Sequence, residues 1–201
     1  MPLDDIKPDT IETITLRRAT APDATALALV GAATFLEAFT WMLPGADIVA
    51  HTARHHSASA YAKYLADPET RITLAVTGDD VPVGYAMLCT PELPTFNVLP
   101  TDIELKRIYL FSRFRSAPVL SPPQSGQAGS PIPNLRPAQA LLDAVIADAR
   151  TLHRTRLLLG THADNLRAIA FYRRNGFTEA GTRTFQVGNQ VCSDLIFARP
   201  L

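Results

Sequence analysis

The chain predicts an α/β (α+β) fold built on about seven strands, and three observations carry that reading. Segments with the two-residue period of a half-buried strand alternate with segments of helical period. Turn and stop residues fall between them, at Pro44-Gly45, Asp67-Pro68, Gly78-Asp79-Asp80 and Gly188-Asn189. Over 201 residues, 47% hydrophobic and 19% charged content supplies one substantial core and too little charge for a disordered chain. One domain spanning 1–201 is expected, with a Pro/Gly-rich inserted loop at about 116–135.

Residues 1–12 read as a polar tail, and Thr13 to Arg18 alternates as a strand with one buried face. Thr20 or Asp23 is placed to cap an alanine-rich helix from about Pro22 to Trp41. A helical segment over about 46–56 follows, and Ser57 or Ser59 starts another that ends near Asp67-Pro68. Arg71–Val76 and Val83–Cys89 form a hairpin about the glycine-aspartate turn, and Pro91 to Pro100 is loop. Ile103–Leu110 is a further strand. Beyond it Pro118, Pro122, Pro123, Gly126, Gly129, Pro131 and Pro133 leave no room for a regular element. From Pro137 a helix resumes, with Leu141, Leu142, Val145, Ile146, Ala149 and Leu152 as its apolar stripe. A strand, a helix and a closing hairpin, Thr178–Val187 with Val191–Arg199, complete the chain.

The 19 basic and 19 acidic residues cancel, so nothing calls for nucleic acid or an anionic membrane as a partner. No apolar run is read as long enough for a membrane span, and the acidic start Met1-Pro2-Leu3-Asp4-Asp5 is unlike a secretion signal. Cys89 and Cys192 lie in strand-like runs as buried free thiols, and a cytoplasmic protein is expected. His51 and His55 have a metal-compatible spacing but no third ligand, so together with His56 they are assigned to a surface helix and no metal is expected. Neither a Walker loop nor a dinucleotide fingerprint occurs.

The most informative stretch is Leu157 to Phe177. Leu157-Leu158-Leu159 is a strand buried on both faces, and Gly160-Thr161 is expected to break it. Asp164 or Asn165 caps the next helix, Arg173 and Arg174 sit in its last turn, and Gly176 supplies a left-handed stop. Asn165 and Tyr172 are seven residues apart, about 20° short of two full turns, so both face one side with the small Ala168 between them. The pattern Asn165, Ala168, Phe171, Tyr172, Gly176, Phe177 after an LxLGT strand resembles the signature of the GNAT superfamily of acetyl-CoA-dependent N-acetyltransferases. The order of elements fits that family along nearly the whole chain. The resemblance implies one mixed, mostly antiparallel, twisted sheet with helices on both faces.

It also implies a chemistry: acetyl transfer from acetyl-CoA to a primary amine of a small molecule or peptide N-terminus, by direct attack within a ternary complex. Tyr172 corresponds to the general acid for the departing thiolate, or else is a core aromatic. Glu104, in ELKRIYL, corresponds to the general base, or else is a strand-end carboxylate that attracts a cationic amine. The main chain of Ile108, Tyr109 and Leu110 would bind pantetheine, with Asn165, Ala168 and Phe171 along its path. Phe35, Glu37 and Phe39 would line the acceptor side, in a pattern resembling the small-amine or polyamine-type branch, where Glu37 and the rings could hold an ammonium. Homodimers are common in the family, although nothing in the sequence marks an interface.

One departure stands out. The family binds pyrophosphate on a glycine-rich loop at a helix start. Counting back from Leu141 puts the loop positions on Pro133, Arg136 and Ala138, and only Ala138 fits. A second register through Gly126, Ala128 and Gly129 would force prolines into the helix start. The first register leaves Arg115, Arg136 and the amides of Ala138, Gln139 and Ala140 to hold the phosphates. The competing reading is a non-catalytic or weakly active acyl-CoA-binding protein of the same fold, and a third is transfer of an acyl group other than acetyl.

Overall fold

The computed structural model describes residues 12–41, 43–93, 96–122, 128–187 and 190–201. The expected tail up to residue 11, the Gly126 register, the Gly188-Asn189 turn and the side chain of Cys192 lie outside the described residues. Seven strands form one sheet: β1 (Thr15–Arg18), β2 (Arg71–Val76), β3 (Pro82–Cys89), β4 (Asp102–Leu110), β5 (Arg156–His162), β6 (Thr178–Val187) and β7 (Gln190–Pro200). Their spatial order is β1-β2-β3-β4-β5-β7-β6, and every neighbouring pair is antiparallel except β4 with β5.

Side-chain alternation divides the core between the two faces. Ile72, Leu74 and Val76 of β2, with Tyr85 and Met87 of β3, pack under α1 (Ala24–Phe39) and α3 (Ala58–Ala66). Ala75, Ala86, Leu88 and Leu105 face the other way, against α4 (Pro137–Thr151) and α5 (Leu166–Arg174). Leu157 and Leu159 join that second layer, while Leu158 points back under Leu93 and Ile196, so the central apolar run is buried on both faces as expected. α2 (Gly45–His55) closes one end, against Phe35 and Leu43.

Local signals explain most boundaries. Thr20 and Asp23 form a reciprocal capping box across a short 3-10 turn, Ala21–Asp23, which delays α1 by two residues from its expected start. Ser57 caps α3 by accepting from the Ala60 amide at 3.2 Å, and Gly176, at φ +79°, ends α5 in the left-handed conformation. Three expectations need correction. Gly160-Thr161 does not break β5, which runs to His162; the Arg183 guanidinium lies over the glycine, 2.7 Å from where a Cβ would stand. The 116–135 segment is not wholly irregular: Val119 and Leu120 bridge to Ile14 and Pro131. Ala21–Phe39 is, by length and composition, apolar enough to cross a membrane, contrary to the reading that no run reaches that length. Here its Leu27, Val30 and Phe35 are buried in the protein's own core.

The feature that positions the site is a split in the sheet. β4 and β5 pair only over Asp102–Glu104 against Arg156–Leu158. Arg156 grips the buried Asp102 at 2.8 and 2.6 Å and clamps the base of the split. Beyond it β4 stays with β3 and β5 with β7, and the two edges part.

Candidate active site

A cavity of about 930 Å³ opens where β4 and β5 separate. Glu104, Ile108, Tyr109 and Leu110 line it from β4, Ala138 and Gln139 from α4, and Asn165, Ala168, Phe171 and Tyr172 from the α5 side. Arg115, Arg136, Phe35, Glu37 and Phe39 also reach it, so sixteen expected site residues less Ala140 converge on one space.

On the donor side the main chain dominates. From Leu105 onward the β4 edge toward β5 has no strand partner, leaving amides and carbonyls open to an extended ligand. At the start of α4, Arg136 is the N-cap and Pro137 the first residue, so Ala138 and Gln139 present the first-turn amides that an anion can use. Ala140 does not share this role: it is buried, outside the cavity, and its amide bonds to the Arg136 carbonyl at 2.9 Å, since Arg136 already closes the first helical ring. Arg136 itself donates to the Ser116 carbonyl at 2.6 Å and so ties the start of the 116–135 segment to the helix start. Arg115 is pulled below the usual guanidinium range by burial and then by the neighbouring Arg167 cation. Arg115 and Arg167 thus lie close together on the cavity wall, a pairing of cations suited to an anion.

Asn165 is the N-cap of α5 rather than a residue within it. Its side-chain oxygen accepts from the Ala168 amide at 3.2 Å, which fixes the side chain and leaves both amide N–H donors for a ligand. Tyr172 packs against Phe177 and Phe197, at ring centroids 5.7 and 6.3 Å, and its hydroxyl has no hydrogen-bond partner among the described residues. Burial, with the Tyr109 phenol as a second cause, pushes its pKa well above 10, so it remains a proton donor at every working pH.

On the acceptor side Glu104 is 2% exposed, not a solvated strand end. One carboxylate oxygen accepts the Glu92 amide at 2.7 Å, which fixes its orientation. Glu37 lines the cavity, but Ser112 occupies its carboxylate through the backbone amide at 3.0 Å and the hydroxyl at 2.8 Å. It therefore caps the 3-10 turn Ser112–Phe114 rather than waiting for an ammonium. Phe35 is a buried wall stacked on His51 at 4.7 Å, and Phe39 tilts against it at 4.6 Å.

Sequence reasoning missed the floor of this side. His51 and His55 lie on the largely exposed α2 as expected, but together with the buried His56 at its C-cap they line the cavity. His51 is held down to about 4 by burial, then by His55 and by the Arg107 cation; His56 is held down to about 2 by burial and then Arg107. His56 Nδ1 meets the Tyr61 hydroxyl at 2.9 Å, which meets that of Tyr85 at 2.6 Å. Gly31 makes room for this chain, since a Cβ there would collide with the Tyr61 hydroxyl and lie 2.6 Å from His56 Nδ1. Among the described residues no group of three or more His, Cys, Asp or Glu side chains gathers as a metal site. Cys89 is buried and free, with burial first and then Glu104 raising its thiol to about 12, so it is no nucleophile.

Comparison with known proteins identifies the family and the fold. Residues 137–177 match the acetyltransferase (GNAT) family, the stretch that holds α4, β5 and α5. An uncharacterized N-acetyltransferase of Mycobacterium tuberculosis is 31% identical over 179 residues, covering 89% of this chain and 98% of the relative, and one of Mycobacterium bovis matches to the same extent. Among solved structures, the PaiA N-acetyltransferase of Thermoplasma acidophilum in complex with coenzyme A superposes with TM-score 0.68 at 16% identity, over 94% of this chain and 99% of that one. A ribosomal-protein-alanine N-acetyltransferase of Brucella melitensis gives 0.61 at 23%, over 92% and 99%. At those identities the structures establish the shared fold.

Proposed function

The chain belongs to the GNAT family of acetyltransferases and is an N-acetyltransferase using acetyl-CoA as co-substrate; from that premise we propose that it acetylates a primary amine directly, with Glu104 as base and Tyr172 as acid. The observation that carries the reading is that a fixed buried carboxylate and an unpartnered phenol face one cavity at the split between β4 and β5. The main-chain edge of β4 holds the pantetheine arm, and Arg115 with the amides of Ala138 and Gln139 meets the pyrophosphate.

The neutral amine attacks the thioester carbonyl, forming the C–N bond while its proton passes to Glu104 directly or through one water. Open amides of β4 stabilise the oxyanion. As the C–S bond breaks, Tyr172 gives its proton to the sulfur; the phenolate then recovers one from solvent and Glu104 releases the one it took, which regenerates the enzyme.

One observation favours a second reading, a weakly active or non-catalytic acyl-CoA-binding protein: with Pro137 first in the helix and Ala140 bonded internally, only two first-turn amides remain for the phosphates. Replacing Tyr172 with Phe separates the two. Acetyl transfer, followed as free CoA thiol, should fall by about 100-fold or more while acetyl-CoA affinity stays within a few-fold. Unchanged transfer would remove Tyr172 from the chemistry, and absent transfer in the unaltered protein with tight acetyl-CoA binding would favour the second reading.

A further inference from the structure

Arg107 is 8% exposed, lines the acceptor side of the cavity and has a buried Nη1 with no hydrogen-bond partner. Its guanidinium lies over the rings of Tyr61 and Tyr64, 5.2 and 5.6 Å from their centroids. The carboxylates nearby are already engaged. Glu92 binds the Lys106 ammonium at 2.9 Å and the Tyr64 hydroxyl at 2.9 Å, and Glu104 takes the Glu92 amide. Among the described residues no carboxylate forms an ion pair with Arg107; the charge of Glu92 reaches it only through space, and aromatic faces offset only part of the cost of burying the cation.

The placement of this residue depends on a bulge. Cys89 stands opposite Glu104, Leu88 opposite Leu105, and Met87 opposite Arg107, so Lys106 is an extra residue in β4. Plain alternation would put Glu104 and Arg107 on opposite faces of the sheet. The bulge restores them to the same face, two ladder steps or about 7 Å apart along the strand. Leu105, Ile108 and Leu110 accordingly join the opposite apolar layer. The three histidines beside Arg107 are held below the ordinary imidazole range and so add no further positive charge beside it. Phe35, Phe39 and Leu43 complete the wall as apolar surface.

We propose that the acceptor is a small amine that also carries an anionic group, a carboxylate in the simplest case, with its amine at Glu104 and its anion on Arg107. An amino acid with an apolar side chain satisfies these contacts. A polyamine does not, because it would bring further positive charge toward a buried guanidinium and find Glu37 occupied by Ser112. This inference rests on the acetyltransferase reading and assigns the substrate class of that same site.

The test compares amine pairs differing only in the carboxylate: phenylalanine with 2-phenylethylamine and leucine with 3-methylbutylamine, with spermidine alongside. The unaltered enzyme should favour the carboxylated member, and Arg107→Gln should reduce the ratio of the paired kcat/KM values by about 10- to 100-fold, chiefly through KM, with Arg107→Lys intermediate. Acetyl-CoA affinity of each variant reports that it is folded. Equal or better transfer to uncarboxylated amines, or a ratio unchanged in Arg107→Gln, overturns the proposal while leaving the acetyltransferase reading intact. A calorimetric titration of CoA-loaded protein with N-acetylphenylalanine and N-acetyl-2-phenylethylamine reads the same contact without turnover. Tighter binding of the carboxylated product supports the proposal, and equal affinities overturn it; absence of transfer to any amine would count instead against the acetyltransferase reading.

Discussion

The two halves of the cavity are built from different materials. The donor half is mostly backbone: an unpaired strand edge, two helix-start amides and the cap of α5. The acceptor half is made of side chains: a fixed carboxylate, a buried guanidinium, neutralised histidines and phenylalanine walls. Backbone contacts tolerate changes of side chain, so the donor half can survive the departures from a glycine-rich pattern at the start of α4. Side-chain contacts do not, and the acceptor half is where the identity of this particular chain resides.

Substitutions should therefore separate by half. The largest effect is expected from Glu104→Gln, which lowers kcat by about 100-fold or more at neutral pH without weakening acetyl-CoA binding. Because the free-amine fraction rises with pH, that deficit should shrink toward alkaline pH in a rate profile; a deficit constant across pH would make Glu104 a structural group. Next is Gly31→Ala, which displaces the Tyr61–His56 floor and should cost about 1–3 kcal/mol in denaturant unfolding despite the better helix propensity of alanine. Acceptor KM should rise with it and acetyl-CoA affinity hold; the reverse would break the division between halves. Arg115→Ala, on the donor side, should weaken acetyl-CoA binding by about tenfold with little change in acceptor KM.

The smallest effect lies outside both halves. The Arg17 hydrogen bonds hold Asp23 at about 2 against an ordinary 3.8, more than offsetting burial. A carboxyl depressed on folding adds stability above its unfolded pKa and loses it as pH falls through the folded one. The stability gap between the protein and Asp23→Asn should thus be full above pH 3.8 and close toward pH 2, with the cavity unaffected.

The sequence made the donor half legible because its cues are local. Gly176, Arg173 and Arg174, the Asn165 cap and the apolar run before it each act within a turn or two. Ala140 was misjudged by one helical ring, since the N-cap carbonyl consumes that amide. The acceptor half was harder to read for a physical reason: its contacts are long-range. Glu37 meets Ser112, 75 residues away, and the Arg107 side chain changes face through a bulge that the period-two pattern of ELKRIYL conceals. His51 shows the same limit, for its four-residue spacing from His55 places it on a helix face but not against Phe35.

The central claim is that the split sheet still holds acetyl-CoA despite the rebuilt phosphate loop. Calorimetric titration with acetyl-CoA at low and moderate salt tests it most directly. The account predicts micromolar binding that weakens as salt screens Arg115 and Arg167 from the pyrophosphate. No binding at either salt would mean that the inserted segment has dismantled the donor half, and the catalytic reading would fall with it.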